Sequence, residues 1–188
     1  MKASLMLGVN PNIAREDNDF YATDPKAMKL ALPYLKQCGL SHKVWECACG
    51  EGHLSEVLKD NGYDVYSSDL IDRGYGEVKD FLKCDTIWEG DILTNPPFKY
   101  AEQFVRQGMK LINQGNKVCL FLKIQFLESS KRYQLFKDCP LKYLLVYSDR
   151  QKCCRNAEFD KYSATTQCYA WYIFEKGYKS KPTIDWIK

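Results

Sequence analysis

Apolar positions along this sequence switch repeatedly between two periods, and the switches divide it into elements. The first 18 residues are polar and irregular, and are expected to form a flexible segment. The stretch 27–37 (AMKLALPYLKQ) predicts a helix, with Thr23 or Asp24 as its cap, Pro25 in its first turn and Pro33 as a kink or stop. KVWEC (43–47) is a short apolar run bounded by turn residues, so it predicts a buried strand. In 53–62, Leu54, Val57 and Leu58 fall at helical spacing and Gly62 terminates the run. DVYSS (64–68) predicts a strand ending at Asp69, and 70–89 is irregular apart from a short YGEV segment. DILTN (91–95) is a strand that runs directly into two prolines. An amphipathic helix over 100–115 buries Phe104, Met109 and Leu111 or Ile112. KVCLFLK (117–123) predicts a buried strand, SSKRYQLFKD a helix ended by Pro140, and 141–147 and 167–176 two further strands.

Strands alternating with helices imply an α/β fold with a doubly wound, mostly parallel sheet of seven strands. The last two strands have no clear helix between them, so an antiparallel strand is expected at one edge of the sheet. At 188 residues the elements use up the chain, which predicts one domain over 19–188 and no separate target-recognition domain.

Composition narrows the setting. Apolar residues make up 45% and charged residues 27%, which excludes disordered and collagen-like chains. No apolar run approaches the ~20 residues of a membrane helix, and MKASLMLGVN lacks the apolar core of a secretory signal. A cytoplasmic protein is expected, with its nine cysteines as reduced structural thiols. Cys47 and Cys49 are two apart, Cys153 and Cys154 are adjacent, neither group pairs with a CxxC, and His42 and His53 belong to neither, so no metal site is expected. The net charge of +3 conceals an asymmetry: residues 1–116 carry 13 basic against 17 acidic side chains, and residues 117–188 carry 14 against 7. A basic back half suits an anionic partner such as nucleic acid, although lysines and arginines also solvate ordinary surfaces.

Ligands of such sheets bind beyond the carboxyl ends of the strands, and three of those ends carry unusual residues. The first is Glu46-Cys47-Ala48-Cys49-Gly50-Glu51-Gly52, whose glycines permit a tight turn and close backbone approach before a helix N-terminus. The second is Asp69, 19 residues after Gly50, an acid placed to take both hydroxyls of a ribose. The dinucleotide fingerprint wants a third glycine, and His53-Leu54-Ser55 supplies none. Glu46 is awkward beside a pyrophosphate and better suited to a ligand carrying an amino group and a sulfonium. S-adenosylmethionine therefore fits better than a nicotinamide dinucleotide. The third end is Asn95-Pro96-Pro97-Phe98. Two prolines delete two N–H donors and hold the backbone extended, so a carbonyl and the Asn95 amide oxygen offer two acceptors to one sp² amino group. Phe98 adds a face for a planar ring.

In this order the motifs resemble those of class I S-adenosylmethionine-dependent methyltransferases, and are most similar to small phage- and prophage-type DNA adenine-N6 methyltransferases with an N/D-PP-aromatic motif. The resemblance covers about residues 19–188. It implies a Rossmann-like fold and S-adenosylmethionine as cofactor. It places Phe20, Tyr21 and Thr23 along the methionine end, and Glu46, Ala48, Gly50 and Gly52 in the main cofactor loop. It puts Asp69 on the ribose, Leu70 and Phe81 beside the cofactor's adenine, and Asp80 on that adenine's amino group. Asn95, Pro96, Pro97 and Phe98 form the catalytic tetrapeptide, with Asn95 and Pro96 holding the target amino group and Phe98 stacked on the base. Cys49 departs from many relatives, and Lys99 and Tyr100 have no assigned role. DNA adenine is the first expectation for the substrate. Adenine in RNA, a glutamine amide in a protein and a non-catalytic cofactor-binding role remain as alternatives. For substrate contact the candidates are Lys131, Arg132, Lys137, Arg150, Lys152 and Arg155, with the loop 148–166. A homodimer or a recognition partner is a further expectation.

Overall fold

A computed structural model of the chain describes residues 21–151, 153–155 and 167–188. Its strands are β1 (Tyr21–Thr23), β2 (Lys43–Glu46), β3 (Asp64–Asp69), β4 (Glu77–Val78), β5 (Asp91–Thr94), β6 (Lys117–Lys123), β7 (Leu141–Tyr147), β8 (Cys153–Arg155), β9 (Tyr169–Glu175) and β10 (Thr183–Ile187). Between them lie the helices α1 (Pro25–Gln37), α2 (His53–Asp60), α3 (Ala101–Leu111) and α4 (Tyr133–Asp138). The expected segment 1–18 and Phe20 lie outside the described residues.

Strand alternation sends side chains to two cores. On one face Trp45, Ile92, Leu120, Tyr172 and Phe174 pack with Phe104, Val105 and Leu111 of α3 and Leu135 of α4. On the other, Val44, Leu93, Phe121, Trp171 and Ile173 pack with Met28, Leu32 and Leu35 of α1 and Leu54 and Leu58 of α2. Helices on both faces of a mostly parallel sheet make this a doubly wound, Rossmann-like α/β fold. The main sheet runs β10-β7-β9-β6-β5-β2-β3-β4. Because β2 lies between β3 and β5, the chain reverses its direction of winding there, and a crevice opens beyond the carboxyl ends of β2 and β5.

Three expectations need correction. The main sheet has eight strands, not seven. The antiparallel strand, β9, is not at an edge: it pairs with β6 on one side and β7 on the other. The edge belongs to β10, which pairs in parallel with β7. Four of the five β10 residues are exposed: Thr183 to Trp186 alternate in polarity, but the apolar pair Ile184 and Trp186 faces solvent. Pro33 neither stops nor ends α1, which continues to Gln37. Pro33 and Lys29 both face solvent, so water can take up the carbonyl that the proline leaves without its donor.

Outside the main sheet, β1 pairs antiparallel with β8, with Ala22 opposite Cys154 and Thr23 opposite Cys153. This ribbon brings part of the basic 148–166 loop beside the entry to α1. Among the described residues, no helix is long and apolar enough to cross a membrane.

Candidate active site

Beyond the ends of β2, β3 and β5 lies a cleft of about 440 Å³, a volume in the range of small-molecule sites. Its walls contain Thr23, Glu46, Ala48, Asp69, Leu70, Asp80, Phe81, Asn95, Pro96, Pro97 and Phe98, so residues chosen from separate stretches of sequence converge on one space. Gly50 and Gly52 are not among the lining residues; they sit in the turn that carries Ala48 and Cys49 into the wall.

The turn after β2 is built on positive backbone angles. Gly50 has φ 56° and Gly52, which starts α2, has φ 85°. A side chain at Gly52 would also collide with Tyr75, whose ring carbons lie 2.6 Å from where a Cβ would sit. Asp69 holds this turn in place: its carboxylate accepts from the Gly50 N–H at 2.8 Å and from the Ile71 N–H at 3.0 Å. The acid expected at a ribose is therefore also the anchor of the glycine turn.

Glu46 closes the floor. It is 1% exposed, and its carboxylate accepts from the Ser55 hydroxyl, which is in turn 2.7 Å from the Ser67 hydroxyl. Burial pushes its pKa up to about 8, against the lowering effect of the Ser55 hydroxyl and backbone N–H. A carboxyl that resists ionisation while the floor is uncharged would be ionised by a cationic group placed beside it.

Asp80 caps the short turn Phe81–Lys83, accepting from Leu82 N–H at 3.1 Å, and pairs with Lys83 at 3.0 Å. Phe81 is buried edge-on against Trp45 at 5.2 Å and beside Phe104 at 5.0 Å. Gln107 of α3 staples this turn by donating to the carbonyls of Phe81 and Cys84. Leu70, by contrast, is 57% exposed at the cleft wall, an apolar surface for a planar group.

The tetrapeptide after β5 forms the opposite wall. The Asn95 amide nitrogen donates to the Thr23 hydroxyl at 2.9 Å, which fixes which end of the amide is the acceptor. The Pro97 carbonyl accepts from Tyr100 N–H at 2.8 Å and starts the short turn Phe98–Tyr100. Phe98 lies 6.2 Å from the Tyr169 ring and carries the Lys123 ammonium 5.2 Å from its centroid.

The basic candidates divide. Arg132 spends its guanidinium on the chain itself, donating to the carbonyls of Phe126, Gln125 and Glu128 and lying over the Phe126 ring. Lys137 lies over Tyr133, Lys131 is exposed on a short turn, and Arg150 donates to the Cys168 sulfur. None of these lines the cleft. Lys152 lies outside the described residues, as do the side chains of Tyr21 and Arg155. The cleft also contains His53, Arg73, Lys79 and Lys99, which the sequence patterns left unassigned. The signal for Lys99 was its place directly after Phe98; Arg73 and Lys79 sit in the irregular stretch 70–89, where no period marks a position. The thiols at the floor are poor nucleophiles, since burial raises Cys47 well above its ordinary value and Cys49 to about 12.

No protein-family model matches the chain, and no curated protein matches it significantly in sequence. Solved structures do match in fold. A protein from Pyrococcus horikoshii assigned as an RNA methyltransferase superposes with a TM-score of 0.63 at 14% identity, covering 90% of this chain and 91% of its own. A protein from Listeria monocytogenes assigned as a class I S-adenosylmethionine-dependent methyltransferase gives 0.61 at 12%, covering 97% of this chain and 68% of its own. Magnesium protoporphyrin IX methyltransferase from Synechocystis PCC 6803, solved with S-adenosylmethionine bound, gives 0.56 at 12%, covering 81% and 79%. The fold is that of the class I methyltransferases.

Proposed function

We propose that this chain is an S-adenosylmethionine-dependent methyltransferase acting on the exocyclic amino group of adenine in nucleic acid, with DNA as the first candidate. One observation carries the reading: the glycine turn held by Asp69 and the Asn95-Pro96-Pro97-Phe98 wall face the same cleft. The donor set suits the cofactor. Glu46 is a buried carboxyl for an ammonium, Asp69 is an acceptor for hydroxyls, and Leu70 with Phe81 offers an apolar slot for a purine. When bound, S-adenosylmethionine supplies an electrophilic methyl on a sulfonium with a neutral leaving group.

The chain's own residues then have defined tasks. The lone pair of an adenine amino group is delocalised into the ring, which makes the nitrogen a weak nucleophile. The Asn95 amide oxygen and the Pro96 carbonyl take its two hydrogens, favour a tetrahedral nitrogen and stabilise the positive charge that develops there. Thr23 keeps the amide in the required orientation. Phe98 stacks on the base, which must leave any duplex to reach it. No cysteine is required.

Transfer of labelled methyl from S-adenosylmethionine to DNA, RNA and a glutamine-containing peptide tests this, with identification of the modified nucleoside or residue. N6-methyladenine in DNA is the expected product. Label in the peptide alone, or in no substrate, would refute it.

A further inference from the structure

Two lysine–aromatic pairs frame the tetrapeptide, and the chemistry assigned above uses neither. Lys99 and Tyr100 follow Phe98 in the same short turn; the Lys99 ammonium lies 4.9 Å from the Tyr100 ring centroid, and Tyr100 is 42% exposed. Both line the cleft. Lys123, at the end of β6, lies over the Phe98 ring from outside the cleft. Among the described residues, no carboxylate lies within ion-pair distance of either lysine, whereas Glu102, on the first turn of α3, is taken by Arg106 at 3.1 Å. Two cations without acidic partners and an exposed tyrosine thus surround the ring proposed to stack on the target base.

A phosphodiester strand has the matching chemistry: anionic groups on either side of each base, and further bases with exposed faces when unpaired. We infer that Lys99 and Lys123 hold the phosphates flanking the target nucleotide while Tyr100 stacks on a neighbouring unpaired base, so the chain grips a single-stranded segment of nucleic acid. This rests on the reading of the Asn95–Phe98 wall as the target-base site. An acidic partner protein would pair with the lysines but would have no base to stack on Tyr100.

The test is binding of fluorescein-labelled oligonucleotides by anisotropy from 0.05 to 1 M salt, in single-stranded DNA, single-stranded RNA and duplex arms, with S-adenosylmethionine affinity measured by calorimetry in parallel. Each phosphate contact on a single strand contributes about 0.7 to the slope of log K against log salt. Lys99→Ala with Lys123→Ala should therefore flatten the slope by about 1.4 and raise Kd about 25-fold at 0.1 M salt, leaving it nearly unchanged at 1 M. Tyr100→Ala should weaken binding at least about fivefold at every salt concentration, because stacking is not screened. Lys123→Ala alone, at a residue that does not line the cleft, should leave cofactor affinity within twofold. The stronger of the DNA and RNA arms identifies the strand, and tighter binding of the duplex than of both single strands overturns the inference. An unchanged slope in the double variant overturns it as well. If the wild-type chain binds S-adenosylmethionine but no oligonucleotide, both this inference and the nucleic-acid reading fall. If the slopes shift as expected but no S-adenosylmethionine binds, the strand grip stands and the methyltransferase reading falls.

Discussion

Replacing Glu46 by glutamine should abolish a pH dependence that the wild-type site builds into cofactor binding. Glu46 has a pKa near 8 in the ligand-free protein because it is buried beneath the cleft with two serines as its support. At pH 7 about one molecule in eleven therefore carries the carboxylate, and at pH 6 about one in a hundred. If the ammonium of the methionine end requires that carboxylate, the observed Kd is the intrinsic value divided by the ionised fraction. Affinity should then rise steeply, by up to about tenfold from pH 6 to 7, and turn over near pH 8, where the ligand's own α-ammonium begins to lose its proton. Glu46→Gln should bind weakly with a flat profile. Calorimetric titration of S-adenosylmethionine at half-unit steps from pH 6 to 8.5 reads this directly. A flat wild-type profile would refute the assignment of Glu46 to the ammonium.

The same residue should leave a mark on stability, of opposite sense. Its folded pKa is raised, so between pH 4.5 and 8 the native state holds a proton that the unfolded chain has released. Stability must fall as pH rises through that window, by at most about 1.4 kcal/mol per unit from this group. Glu46→Gln should lose that slope, so the melting temperatures of mutant and wild type should diverge in the mutant's favour as pH climbs from 5 to 8.

Four further outcomes follow from the geometry. Asn95→Ala should lower turnover by about 10²–10³ while cofactor Kd stays within several-fold, and Thr23→Val should lower turnover about tenfold through loss of the 2.9 Å anchor; single-turnover transfer beside calorimetry checks both. Gly52→Ala and Gly62→Ala share a positive φ, near 85° and 83°, worth about 1–2 kcal/mol each, but only the first meets a ring at 2.6 Å. Thermal melts should therefore show Gly52→Ala several degrees below Gly62→Ala, with weakened cofactor binding in the former alone. Asp91→Ala should cost about 2–5 kcal/mol in denaturant titrations, since it leaves the Ser41 and Lys117 N–H groups and the Asn116 amide without their acceptor, while the Lys117 ammonium keeps Glu175 at 3.6 Å.

What the sequence made legible follows from burial. β6 and β7 match their predicted bounds residue for residue; β6 and β9 are apolar runs because both sides of the sheet bury them beneath helices. β10 went unassigned although Thr183 to Trp186 alternate in polarity, because the strand is short and its pairing with Tyr143–Tyr147 is purely long-range. The insertion of β9 between β6 and β7 has no local signal either: period reveals that a strand exists, not which strands flank it. At the site, the glycine turn, Asp69 and Asn95-Pro96-Pro97-Phe98 were legible because each needs an unusual residue at a strand end. Arg132 was not, because a basic residue in the sequence looks the same whether its guanidinium meets a phosphate or three carbonyls of its own chain. Lys123 was masked by the apolar strand it terminates.

Two buried acids, at opposite ends of the central strands, show why placement in a sheet decides what a carboxylate does. Asp91 begins β5 and is fully buried, yet its oxygens accept from Ser41 N–H at 2.8 Å, Lys117 N–H at 2.8 Å and the Asn116 amide at 3.1 Å, with the Lys117 ammonium at 4.0 Å. These donors come from two loops and a neighbouring strand at the amino ends, so the charge is satisfied by the fold and ties it together. Glu46 ends β2, where the sheet reverses its winding and the chain leaves a gap. Its support is Ser55, through hydroxyl and backbone N–H, and behind that the Ser67 hydroxyl. Hydroxyls can turn to suit either protonation state, and one N–H does not offset the burial, so this acid is supported without being neutralised. The carboxylate at the amino ends is complete within the protein, whereas the one at the carboxyl ends is left for the ammonium of the proposed cofactor to complete.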